Sequence, residues 1–221
     1  MADSPTREWN GLVIPSPGIY ELDEAHKRVG FTAQHMMVSP VRGEFTKGWA
    51  RIAVADDPLQ STVTAVIQTN SIDTANPERD AHLSGADFLD VERFPTLEFR
   101  STGVKWEEPD DAIFSWASLR AANRITRRAV DMPQPTARRS GRFVLAGDLR
   151  IRDVIQPVEL KVEFGGARRD PYGRDIVGFS AHTDINREEF GLRWNVVLES
   201  GGVLVGKRVR IEIAGEAIRR Q

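Results

Sequence analysis

The chain has 221 residues, 40% of them apolar and 28% charged, with a formal net charge of −2. Such apolar content with so little net charge excludes a disordered chain, and there is no basic excess to call for nucleic acid. The absence of cysteine excludes a disulfide framework, thiol catalysis, and Cys-ligated zinc or iron–sulfur centres.

Residues 1–17 hold Pro5, Pro15 and Pro17 with little periodicity, and read as an N-terminal arm rather than an element. The longest apolar run there is Leu12-Val13-Ile14, and the segment begins with acids. A secretory signal needs a basic start and ~7–15 apolar residues, so a cytoplasmic protein is expected. No window approaches the ~18 apolar residues of a membrane-spanning helix.

From Ile19 onward the chain alternates. Phe31, Ala33, His35 and Met37 share one parity, followed by Ile52 and Val54. Val63, Ala65 and Ile67 are opposed by Thr62, Thr64 and Gln68, and Leu97 and Phe99 by Glu98 and Arg100. Asn76 to Asp90 breaks the pattern with Asn-Pro at its start and charge in its first turn, which predicts a short helix or two turns. In the second half Phe143, Leu145, Leu149 and Ile151 alternate with charged residues. So do Val158 to Phe164 and Val209 to Ile213, and Val177, Phe179, Ala181, Thr183 and Ile185 share one parity. One apolar and one solvated face per run marks an antiparallel sheet. About eight such runs between Gly, Pro or Asp punctuation point to a sandwich or barrel. Closure would remove exposed edges, and ~8 strands leave room for one small ligand.

The chemical signatures are sparse. The four histidines, His26, His35, His82 and His182, form no H-E-x-x-H or H-x-H pair, so no metal site is expected. There is no G-x-S-x-G turn. The carboxylate pairs, such as Glu107-Glu108 and Glu188-Glu189, are chain neighbours that a strand would send to opposite faces. No catalytic residue and no cofactor is therefore assigned. His35 shares parity with Phe31. It is either a satisfied interior histidine or a group that meets the polar end of a ligand.

Residues 105–141 interrupt the strands a second time. Between Ser118 and Arg142 stand seven arginines (120, 124, 127, 128, 138, 139 and 142) against one acid, Asp131. Three readings stay open. A loop of this length is often without regular structure. A basic amphipathic helix would make transient contact with an anionic membrane surface through residues 118–142. The same helix could instead cover a barrel mouth with Phe114 and Trp116.

Several motifs taken together carry a family resemblance. Tyr20-Glu21-Leu22-Asp23-Glu24-Ala25-His26 leads into Val29-Gly30-Phe31 and His35. Ser71-Ile72-Asp73-Thr74-Ala75-Asn76-Pro77-Glu78-Arg79-Asp80-Ala81-His82-Leu83 follows, then Gly147-Asp148-Leu149 and Ile185-Asn186-Arg187-Glu188-Glu189-Phe190-Gly191. These segments resemble the YceI-like family of polyisoprenoid-binding, lipocalin-like proteins, from about residue 18 to 218. The resemblance implies an all-β fold: an eight-stranded antiparallel lipocalin-like barrel with short helical segments, usually a homodimer, with an apolar pocket for an isoprenoid chain or quinone. It places an arm at 1–17 and the barrel domain at 18–221, with the 105–141 insertion. The sequence departs from the pattern where Arg150-Ile151-Arg152-Asp153 replaces the usual Thr-Ile-His-Gly. By parity that change faces solvent and leaves the fold alone.

The expected function is lipid binding: carrying or sensing a long-chain apolar amphiphile such as a polyisoprenoid or isoprenoid quinone. The ligand-binding candidates are Phe31, His35, Phe45, Ile67, Leu97, Phe99 and Leu145. The alternative is a cavity enzyme, cyclase- or isomerase-like, that folds a flexible apolar substrate into a reactive shape. A third possibility is a barrel packed shut. Small strand residues (Gly30, Ala33, Ala65, Ser101, Gly147, Gly178 and Ala181) favour a hollow interior. Arg79, Asp80 and Arg187 lie at breaks between strands, where they would satisfy backbone groups.

Overall fold

The computed structural model describes residues 4–36, 38–107, 141–197 and 204–220. Twelve strands are present among the described residues: β1 (Thr6–Trp9), β2 (Leu12–Pro15), β3 (Gly18–His35), β4 (Ser39–Phe45), β5 (Gly48–Val54), β6 (Thr62–Gln68), β7 (Ile72–Asp73), β8 (Thr96–Glu107), β9 (Gly141–Ile151), β10 (Val154–Arg169), β11 (Asp175–Asn186) and β12 (Val205–Arg219). Eight of them form a closed antiparallel ring in the order β3, β5, β6, β8, β9, β10, β11, β12, with β12 returning to β3. β3 is long enough to serve two neighbours on one edge. Its first residues, 18–21, pair with β5, and residues 29–35 pair with β4.

Alternation explains the ring. The odd residues of β6, Val63, Ala65 and Ile67, face inward, and so do Leu97 and Phe99 of β8. Bulges adjust the curvature. In β8 the register shifts between Ser101 and Gly103, and the Ser101 hydroxyl accepts the Val63 amide at 2.8 Å. In β3 residues 23–26 stand opposite the single residue Glu216 of β12.

The other end of the ring from Gly18 is covered by α1 (Pro77–Ser84), the turns that follow it, and a 3-10 turn at Arg187–Phe190. Asn76 caps α1, accepting the Arg79 amide at 3.0 Å, and Pro77 fixes the first helical φ. Arg79 donates to the Thr74 hydroxyl and carbonyl at 2.7 and 2.8 Å, while Asp80 accepts the Thr74 amide and hydroxyl at 3.0 and 2.6 Å. Phe88, Leu89, Phe190 and Leu192 are buried there. Arg187 is 3% exposed and donates to three carbonyls, those of Leu192, Val205 and Gly206.

Three sequence readings change. Residues 6–15 are not an irregular arm: β1 and β2 pair as a hairpin, with Leu12 and Ile14 each 3% exposed. Its turn, Asn10-Gly11, takes positive φ at both positions, the geometry a two-residue hairpin demands. Local periodicity over four-residue strands is too short to show this. Second, the interruption is shorter than 105–141, because β8 runs to Glu107 and β9 starts at Gly141. The loop, membrane-surface and barrel-cover readings of 118–142 fall, but for Gly141 and Arg142, outside the described residues. Third, Arg152 is no solvent bystander. It sits left-handed (φ 58°) in the β9–β10 turn, its guanidinium lies 5.3 Å from the Phe94 ring centre, and it donates to the Phe88 carbonyl at 3.3 Å.

Candidate functional site

The ring encloses a cavity of about 300 Å³, within the range of small-molecule sites. Every ring strand contributes to its wall. Val63, Ala65, Ile67 and Ile213 point inward yet remain only half-buried: Val63, Ala65 and Ile213 pack on the cluster of Phe99, Leu145 and Leu160, and all four also border empty space. In a barrel filled at the usual interior density such residues would be sealed. Small residues on the wall, Gly30, Ala50, Ala65 and Ala181, leave that space. Gly147 helps in another way. A Cβ there would fall 2.4 Å from the Phe99 ring, so the bare backbone lets that ring lie over β9.

The wall is chemically plain. Ser61, Glu98 and Thr183 are its polar residues. The Ser61 hydroxyl is occupied by the Ala55 amide at 3.2 Å, and the Glu98 carboxylate is turned to Arg150 at 4.0 Å. An apolar chain placed here gains ~25 cal/mol for each Å² removed from water. A polar head finds few partners.

Of the residues chosen from sequence, Phe31, Phe45, Ile67, Leu97, Phe99 and Leu145 border this cavity. The Phe31 and Phe45 rings meet with centres 5.8 Å apart. His35 is not brought to the wall. It ends β3, opposite Ser39 and Val205, half-buried and two residues beyond Ala33, which does not border the cavity either. The parity argument is sound at Phe31, but β3 runs on past the hollow part of the barrel.

Other wall residues were missed. Phe143, Phe164 and Phe179 share parity with the inward runs, so alternation alone could have found them. Ile14 and Pro15 gave no usable signal beyond the short Leu-Val-Ile-Pro run.

Outside the barrel, Asp23, His26 and Glu216 place their ligating atoms within 4.8 Å of one another at the β3 bulge. Asp23 and His26 are 2.8 Å apart. That hydrogen bond holds the Asp23 carboxyl below its usual value and raises the His26 imidazole. Arg174 acts on the same group and opposes a bound cation.

The model of the YceI-like domain matches residues 20–217. A UPF0312 protein of Staphylococcus epidermidis is 28% identical over 199 residues, covering 89% of this chain and 95% of that protein. One from Staphylococcus aureus strain N315 is 30% identical over 201 residues with the same coverage. Among solved structures, Burkholderia cenocepacia BcnA superposes with a TM-score of 0.60 at 16% identity, over 90% of this chain and 99% of its own. A Campylobacter jejuni YceI protein gives 0.59 at 24%, over 90% and 97%. A polyisoprenoid binding domain from Saccharophagus degradans, implicated in plant cell wall breakdown, gives 0.57 at 12%, over 93% and 100%. At these identities the structures speak for the fold, while the family model spans almost the whole ring and the staphylococcal relatives are matched over nearly their full length. The chain belongs to the YceI-like domain family.

Proposed function

We propose that the protein binds a long-chain apolar amphiphile, a polyisoprenoid or isoprenoid quinone, and carries or senses it. The observation that carries this reading is the hollow, almost wholly apolar interior. The polyisoprenoid-binding domain among its structural neighbours supports it. Recognition would rest on the shape and length of the chain, since among the described residues the wall offers no charged pair to a head group. Within the same proposal the chain works as a homodimer in the cytoplasm. Among the described residues no helix is long and apolar enough to cross a membrane.

Native mass spectrometry of freshly purified protein, followed by lipid extraction, tests this reading. A co-purifying apolar molecule is expected. It should be lost in Ala65→Phe or Ala181→Phe, each of which fills the cavity from a wall position. A barrel that carries nothing and takes up no added prenol would overturn the proposal.

A further inference from the structure

We infer that the N-terminal hairpin is the floor of the cavity and sets the length of chain it accepts, an inference that rests on the proposed apolar ligand. The match to the family domain starts at residue 20, so β1 and β2 lie outside it. Among the described residues they pair only with each other, as a two-stranded sheet separate from the barrel. Even so, Ile14 and Pro15 border the cavity. They do so at the end where Val54, Val104, Phe143 and Val177 form the wall.

The hairpin is seated by side chains that reach several parts of the barrel. Arg7 donates to the carbonyls of Ala55, at 2.5 Å, and Asp56. Trp9 meets Trp106 of β8 edge-on at 5.1 Å and stacks on Phe143 of β9 at 6.2 Å. Gly141 supplies the seat for Leu12, because a Cβ there would fall 2.7 Å from the leucine Cδ1. Below, the hydroxyl of fully buried Tyr20 donates to the Ser16 carbonyl at 2.8 Å. Anchors on β3, β8, β9 and the 55–56 turn hold the hairpin at a fixed height.

An apolar chain makes no directional bonds, so a wall across its path is what distinguishes one length from the next. One methylene too many or too few in such a pocket is worth roughly 10- to 200-fold. Ile14 is the side chain placed to make that distinction: it is buried and borders the cavity from the hairpin.

The experiment is competition of farnesol, geranylgeraniol and solanesol against a bound dansylated fatty acid, on the wild-type protein and on Ile14→Ala and Ile14→Trp. Circular dichroism confirms the fold of each. Shortening the floor residue should move the preference toward longer prenols by about tenfold, and Ile14→Trp should move it as far toward shorter ones. General loss of fold cannot produce opposite shifts. The same ranking in all three proteins would overturn the inference. So would altered on- and off-rates at an unchanged ranking, which would make the hairpin an entrance. If folded wild-type protein binds none of the three prenols, the ligand proposal falls and takes this inference with it; binding with an unmoved ranking removes the inference alone.

Discussion

Replacing Arg187 with methionine keeps the apolar stem and deletes the guanidinium. The carbonyls of Gly206, at 3.0 Å, and Leu192 then lose the guanidinium, as does that of Val205, at 3.2 Å, which keeps the Asn195 side-chain amide at 2.8 Å. A hydrogen bond to a charged group contributes ~1.5–3 kcal/mol. The gain is offset by what it costs to hold the guanidinium away from water. Burial lowers the Arg187 pKa, with nearby Glu188 pulling the other way. The net loss on substitution is then about 2–4 kcal/mol. For a chain of this length each kcal/mol is worth ~2–4 °C, so Tm should fall by roughly 5–15 °C. Arg187→Lys should fall between, because a single ammonium cannot reproduce the fork. Arg208→Met is the control: its guanidinium pairs with Asp184 at 2.6 Å but is 75% exposed and screened by water, so its loss should leave the melting temperature close to wild type. Thermal melts followed by circular dichroism measure all three. If Arg187→Met melts within a degree of wild type, or no lower than Arg208→Met, the reasoning is refuted. Ligand selectivity should not change, since Arg187 does not border the cavity.

Gly147→Ala places a Cβ 2.5 Å from the Arg100 carbonyl as well as against Phe99, and should cost ~1–3 kcal/mol in urea denaturation; an unmoved midpoint would contradict the close approach. Asp175 accepts two bonds from Arg169, at 2.7 and 3.2 Å, with Arg219 at 3.6 Å, and the Arg169 bond above all holds its carboxyl below the usual value. A depressed folded pKa means the stabilisation is complete above the unfolded value of ~3.9 and is lost as pH falls through the folded one. Asp175→Asn should therefore cost about 1 kcal/mol at neutral pH, a figure kept small because Arg169 is 41% exposed. The variant should converge with wild type in acid; a gap that stays constant with pH would show the charge is not responsible. Phe99→Trp puts a fluorophore on the wall, and its emission should shift when prenol is added; no response at micromolar prenol, with the fold intact, counts against an open cavity.

Strand placement and the inward face were legible in the sequence because they are local properties. Successive side chains on a strand leave on opposite sides whatever the strand packs against. Thus Val63, Ala65, Ile67, Leu97 and Phe99 could be set on one face, and Asn76-Pro77 could be seen to start a helix. Depth along the barrel axis has no such local signature. His35 has the parity of Phe31, and only the height at which β3 passes beyond the hollow separates them. The hairpin at 6–15 could not be read either, since its strands are short and its burial depends on Gly141, Trp106 and Phe143, far along the chain. Arg187 looked structural from its position at a strand break, but of its partners only Leu192 is close in the chain, and those at 205 and 206 arrive when β12 pairs back along β11, with Asn186 opposite Arg208. Parity is fixed by the backbone of a few residues, whereas the floor of the cavity, the end of its wall and the partners of a buried charge are fixed by which distant residues the ring brings into contact.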